Sequence, residues 1–165
     1  MYKTLQTARL QIRPIRPADA GFILEILNSE GWLQYIGDRN IYTSEQAAAY
    51  IEKILDDPKR FYSIIEVKPS RDAIGIVSFL FRAEYACPDL GFALLPRFEK
   101  KGYAEEASRR YLEELFHEGL HPKIIAIAKP ENQKSVRLLE RLGFSYETTE
   151  TSENAPLVIY SLEPA

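Results

Sequence analysis

The chain contains one cysteine, Cys87, so no intramolecular disulfide can form; this fits a reducing compartment, and the protein is expected to be cytoplasmic. It has only two histidines, too few with one cysteine for an ordinary Cys/His zinc site, and no structural metal is expected. No apolar run approaches the roughly 20 residues that span a bilayer. The start, Met1-Tyr2-Lys3-Thr4-Leu5-Gln6, lacks the apolar core of a secretory leader. There is no surplus of basic residues. Lys and Arg number 21 against 24 Asp and Glu, a net charge of −3, which gives no electrostatic footprint for nucleic acid or an anionic membrane. No Gly-Lys-Ser/Thr occurs, which disfavours a P-loop kinase, and no Gly-x-Ser-x-Gly, which disfavours a serine hydrolase.

What remains is an ordinary globular balance. Of 165 residues, 45% are hydrophobic and 27% charged, enough for one domain over 1–165 with a sizeable core. Arg9–Pro14 alternates as a strand, with Leu10 and Ile12 on one face. Pro17-Ala18-Asp19 opens a helix carrying Phe22, Ile23, Ile26 and Leu27 at helical spacing. Gly31–Thr43 reads as a loop or broken helix. Thr43 and Gln46 have capping-box spacing, and the helix they open ends at Asp56-Asp57-Pro58.

Strands follow at Phe61–Lys68, Ala73–Arg82 and Asp89–Leu95, with links short enough for an antiparallel meander. Then come a helix over Gly102–Glu118 stopped by Gly119, a buried strand over Lys123–Ala128, a short helix over Asn132–Leu142, and closing strands at Phe144–Thr149 and Leu157–Leu162. The order β-α-α-β-β-β-α-β-α-β-β predicts an α/β mixed sheet with helices on its faces, not a repeated βαβ array.

Two stretches carry candidate chemistry. In Leu94-Leu95-Pro96-Arg97-Phe98-Glu99-Lys100-Lys101-Gly102-Tyr103-Ala104 a strand runs through a short loop into a long helix. Free N–H groups at a helix start favour phosphate, small residues let it approach, and Lys100 and Lys101 add positive charge. A plain strand-to-helix turn fits the same letters, and Glu105 and Glu106 suit that reading because they stabilise a helix start without a ligand. In Asn132-Gln133-Lys134-Ser135, Asn132 fits a plain N-cap; an amide and a hydroxyl one turn apart also fit a cleft that holds peptide-like groups and protonates a leaving thiolate.

In order and spacing these pieces resemble the GCN5-related N-acetyltransferase (GNAT) superfamily, and within it the RimJ/RimL-like branch. The resemblance rests on Thr7–Pro14, on Asp89–Pro96, on Gly102-Tyr103-Ala104-Glu105-Glu106-Ala107, and on Asn132–Ser135 followed by Leu138-Leu139-Glu140-Arg141-Leu142-Gly143-Phe144. It implies an acyl-CoA N-acyltransferase fold: a mostly antiparallel sheet whose central parallel strands, here Asp89–Leu95 and Lys123–Ala128, splay apart to admit pantetheine. It implies that acetyl-CoA is bound by Phe92, Ala93, Leu94 and Leu95, by the turn Glu99, Lys100, Lys101, Gly102, Tyr103 and Ala104, and by Asn132 and Ser135. Two letters depart from the family turn. Glu99 stands where a basic or amide residue is usual, and Lys100 where many relatives have glycine.

The resemblance further implies direct transfer of the acetyl group to a primary amine, a protein N-terminus or a small molecule, in a ternary complex. Ser135 is the candidate general acid, and Asp89, with Glu84 behind it, the candidate base, with an exposed turn carboxylate as the commoner role of each of the last two. Cys87 has no histidine near it in sequence to support a covalent intermediate. Trp32, Tyr35, Tyr42, Phe79 and Phe81 are candidates for the acceptor pocket, with core packing as their commoner role. The altered turn leaves a non-catalytic acyl-CoA sensor as the alternative, and thioester hydrolysis as a further one. The aromatic-rich sheet is compatible with a homodimer.

Overall fold

The computed structural model describes residues 3–151 and 155–165; Met1 and Tyr2, part of the start read above for a leader, lie outside them. The strands are β1 (Leu5–Gln6), β2 (Leu10–Pro14), β3 (Arg60–Val67), β4 (Asp72–Leu80), β5 (Asp89–Leu94), β6 (Ile124–Ala128), β7 (Ser145–Thr151) and β8 (Pro156–Leu162). The helices are α1 (Ala20–Leu27), α2 (Glu30–Tyr35), α3 (Ser44–Asp56), α4 (Tyr103–Glu118) and α5 (Gln133–Arg141). All eight strands join one sheet in the order β1-β2-β3-β4-β5-β6-β8-β7. Every pairing is antiparallel except β5 with β6. This is the mixed α/β architecture expected. The sequence reading missed the two-residue β1, whose Leu5 sits opposite Ile12, and gave as loop or broken helix the stretch where α2 forms.

The capping box of α3 forms as its spacing predicts. The Gln46 amide donates to Thr43 Oγ1 at 3.1 Å, and the Thr43 amide donates to Gln46 Oε1 at 3.2 Å. Each face of the sheet buries its own apolar set. On one face Ile23, Ile26, Trp32, Ile51 and Ile54 from α1–α3 pack on Tyr62, Ile64 and Ile76. On the other, Ala107, Tyr111, Leu112 and Leu115 of α4 and Leu138 and Leu139 of α5 pack on Val77, Phe79, Leu90 and Ala126. Complete burial of each such aliphatic side chain contributes about 1.5–3 kcal/mol.

Arg13 crosses this apolar interior. Its guanidinium donates to both carboxylate oxygens of Asp19, at 2.9 and 2.7 Å, and to Glu66 Oε2 at 2.9 Å. All three residues are under 8% exposed. Asp19 also accepts from the Arg16 amide at 2.9 Å, so the network fixes where α1 leaves the sheet.

No helix among the described residues is long and apolar enough to cross a membrane, and no group of three or more His, Cys, Asp or Glu among them could hold a metal ion.

Asp19→Ala should cost about 3 kcal/mol, because it leaves a buried guanidinium short of an anion. Urea denaturation measures this; a loss below 1 kcal/mol would mean that Glu66 alone balances Arg13.

Candidate active site

Strands β5 and β6 meet at a single position, Asp89 opposite Ile125, with the Ile125 amide donating to the Pro88 carbonyl at 3.0 Å. Beyond it they part. Each stays anchored on its outer side: β5 pairs with β4 from Asp89 to Leu94, and β6 pairs with β8 from Ile124 to Ala128. A cavity of about 1080 Å³ opens between them. Consecutive residues of both strands line it, Leu90–Leu94 on one side and Ala126–Ala128 on the other. Successive strand residues point to opposite faces, so an uninterrupted run of lining residues means that a backbone edge borders the space. The edge that β5 turns toward β6 therefore keeps unpaired peptide groups.

The far end of the cavity is the start of α4. Gly102 takes a left-handed φ of 79° and provides no side-chain cap. The amide hydrogens of residues 102–104 have no acceptor among the described residues. The positive end of a 16-residue helix thus lies open beside the cavity. Lys100, at φ 64°, is a lysine in the conformation that glycine adopts without penalty. Lys134, Ser135, Arg137, Leu138 and Arg141 of α5 form the opposite wall. Lys134 reaches Glu99 Oε2 at 3.2 Å, bridging the two sides at the mouth. Arg141 Nε donates to Glu105 Oε2 at 2.9 Å, and Glu105 also accepts from Arg109 at 2.9 Å.

On the face of the sheet opposite α4 and α5, Trp32 and Tyr35 of α2 line the cavity together with Glu30, Arg39, Tyr62 and Ser78. Lys129 Nζ donates to the Gln34 carbonyl at 3.1 Å and ties α2 to the end of β6. Gly91 makes room for its cross-strand partner Ser78: a Cβ there would stand 2.6 Å from Ser78 Oγ. Asp89 is 4% exposed and paired with Arg82. Burial pushes its carboxyl above the ordinary aspartate value, and the nearby Arg82 charge and hydrogen bond only partly oppose this.

The structure brings many of the candidates to one space. Ser135, Asp89, Phe92, Ala93, Leu94, Glu99, Lys100, Gly102, Tyr103, Ala104, Asn132, Trp32 and Tyr35 all border the cavity. Asn132 also caps α5, accepting from the Ser135 amide at 3.4 Å, so the plain N-cap reading holds alongside its place in the wall.

Six candidates lie elsewhere. Phe79 and Phe81 face α4, edge-on to each other at 5.3 Å and against His121 at 5.2 and 5.6 Å, because cavity-facing positions on β4 are the even ones, Ile76, Ser78 and Leu80. Tyr42 is 58% exposed and donates to Asp38. Leu95 is buried among the α1–α3 contacts, Lys101 stands over the Phe98 ring, and Glu84 lies in an exposed turn.

Sequence reasoning missed Arg82, Arg137 and Arg141. The second and third had a visible signal: Lys134, Arg137 and Arg141 recur at i, i+3 and i+7, one stripe of a helix. The pairing of Arg82 with Asp89 needed the β4–β5 register, which sets Leu80 opposite Asp89.

Comparison with known proteins agrees with this geometry. The acetyltransferase (GNAT) domain family matches residues 9–145. The Bacillus subtilis (strain 168) protein named uncharacterized N-acetyltransferase YnaD is 30% identical over 144 residues, covering 87% of this chain and 83% of that one. An acetyltransferase (GNAT family) from Bacillus anthracis superposes with a TM-score of 0.82 at 24% identity, covering 98% of each chain. RimL, a ribosomal L7/L12 alpha-N-protein acetyltransferase solved with coenzyme A, superposes with a TM-score of 0.86 at 12% identity, also over 98% of each chain.

The turn makes a stability test with opposite signs. Lys100→Gly should raise stability by up to about 1 kcal/mol by removing left-handed strain, and Gly102→Ala should lower it by about 1 kcal/mol. Urea denaturation of the two variants checks the pair; equal shifts would mean that the turn does not hold these backbone angles.

Proposed function

We propose that this chain, which belongs to the GNAT family of acetyltransferases, moves the acetyl group of acetyl-CoA to a primary amine by direct attack in a ternary complex. One observation carries the reading: the parallel strands pair at a single position and part toward an uncapped helix start. Pantetheine is an extended chain with peptide groups. The free edge of β5 at Gly91–Leu94 can bind it as an added strand. The diphosphate then falls against the open amides of residues 102–104, with Lys134 and Arg137 across the gap. The fold likeness to RimL, solved with coenzyme A, supports this placement.

The acetyl end of the ligand then lies beside Gly91, toward Asp89 where the strands meet, in a space that Trp32 and Tyr35 also line. The amine must be neutral to attack. Asp89, with its raised proton affinity, accepts the proton directly or through water. The nitrogen bonds to the carbonyl carbon while backbone N–H groups of β5 hold the developing oxyanion. The oxyanion re-forms the carbonyl as the carbon–sulfur bond breaks; the nitrogen gives up its remaining extra proton to water, and Ser135 Oγ gives the departing sulfur a proton and regains one from water. Glu30 and Asp89 offer negative charge to an approaching ammonium group, in a pocket lined by Trp32 and Tyr35. A protein N-terminus and a small amine both fit this description.

A thiol-release screen over a panel of amines, with amine-independent release subtracted, tests the reading; acetyl-CoA binding without amine-dependent release would leave a sensor in place of an enzyme. With an active amine found, Ser135→Ala should lower kcat by about 10²-fold and leave coenzyme affinity within twofold. The acidic limb of kcat/KM should lie above the ordinary aspartate value, since Asp89 acts only when deprotonated. Arg82→Ala should move that limb to higher pH, because it removes the charge that favours the carboxylate. A limb that stays in place would exclude Asp89 as the base. Glu99→Gln should tighten acetyl-CoA binding by freeing Lys134; weaker binding would mean that the Glu99–Lys134 bridge builds the site rather than competing with the diphosphate.

A further inference from the structure

Arg9 borders no part of the cavity, yet it holds the turn that does. It stands just before β2, where its carbonyl accepts from the Lys68 amide at 2.9 Å and Lys68 Nζ donates to the Thr7 carbonyl at 2.7 Å. The backbone of Arg9 is therefore fixed by the sheet. From there its side chain runs out to the start of α4. Nη1 donates to the Lys101 carbonyl at 2.9 Å, Nε donates to Glu106 Oε2 at 2.7 Å, and Nη2 pairs with the same oxygen at 2.6 Å. The guanidinium lies over the Tyr103 ring, 4.5 Å from its centre. Glu106 Oε1 closes the clamp by accepting from the Thr7 hydroxyl at 2.6 Å and the Arg9 amide at 3.1 Å.

A trans peptide points its C=O and N–H in opposite directions. Arg9 draws the Lys101 carbonyl to the outer side, so the Gly102 N–H, on the same peptide plane, is turned to the other side, where Gly102 borders the cavity. A Cβ on residue 102 would stand 3.4 Å from Arg9 Nη2, an ordinary contact distance, so the guanidinium lies directly against the glycine. We infer that Arg9 is a positioning residue: it aims the Gly102 amide hydrogen into the cavity and thereby sets affinity for a diphosphate-bearing ligand. The inference rests on the reading that residues 99–104 receive the coenzyme's diphosphate.

The test is titration of the 15N-labelled protein with acetyl-CoA and with S-acetylpantetheine, which lacks the diphosphate. In the wild type, acetyl-CoA should shift the Gly102 amide resonance and S-acetylpantetheine should not. In Arg9→Ala the Kd for acetyl-CoA should rise roughly tenfold, the worth of one well-placed hydrogen bond, with the Gly102 response reduced and the Kd for S-acetylpantetheine unchanged. Arg9→Lys keeps the charge but cannot grip Lys101 and Glu106 together, and should show the same selective loss to a smaller degree; it serves alone if the alanine variant does not fold. Equal weakening toward both ligands, or no weakening toward either, would overturn the role given to Arg9. Failure of the wild type to bind acetyl-CoA, or binding that leaves Gly102 untouched, would remove the diphosphate reading itself, and Arg9's role with it.

Discussion

The single paired position between β5 and β6 is the constraint on which the rest of the molecule depends. A sheet normally gains by continuing its ladder. Here β5 is committed to β4 over six positions and β6 to β8 over five, so the two halves of the sheet are each complete on their outer sides. They touch at Asp89 and Ile125 and diverge, which leaves backbone donors and acceptors facing a gap. Such groups need a partner that is extended, narrow and able to hydrogen-bond. The cavity is thus a consequence of topology, and it does not depend on any one large side chain being absent.

Around that gap the charged residues act chiefly as position-setters. Exposed ion pairs contribute little stability one at a time. Yet Glu105 joins α4 to α5 through Arg141, Glu106 joins α4 to β2 through Arg9, and Glu99 joins the turn to α5 through Lys134. Three ties therefore hold the turn, α4, α5 and the start of β2 together around the open start of α4. The buried Arg13–Asp19–Glu66 network does the equivalent work for α1, and so sets the other end, where α2 and α3 follow in the chain.

Much of this was legible in the letters. The capping box at Thr43 and Gln46, the apolar run of β6, the stop at Gly119 and the turn at Gly102 are local signals, and local hydrogen bonding or backbone geometry decides them. What the letters concealed depends on partners distant in sequence. Phe79 reads as a pocket aromatic until the register of β4 sets even positions toward the cavity. Tyr42 lies close in sequence to α2, but its hydroxyl is taken by Asp38 at 2.7 Å. Thr7 and Arg9 look like the edge of an opening strand, and only the fold brings Arg9 against Glu106, 97 positions away. The sign of φ at Lys100 could be suspected from the turn but not the bridge between Glu99 and Lys134.

Amide hydrogen exchange, followed residue by residue with and without saturating acetyl-CoA, asks directly whether the free edge of β5 and the open start of α4 receive one extended ligand. Exchange should slow at Gly91–Leu94 and at Gly102–Ala104 together, with β7, at the far edge of the sheet, unaffected. Saturation that leaves both segments exchanging at their free rate would mean that no such ligand lies along them.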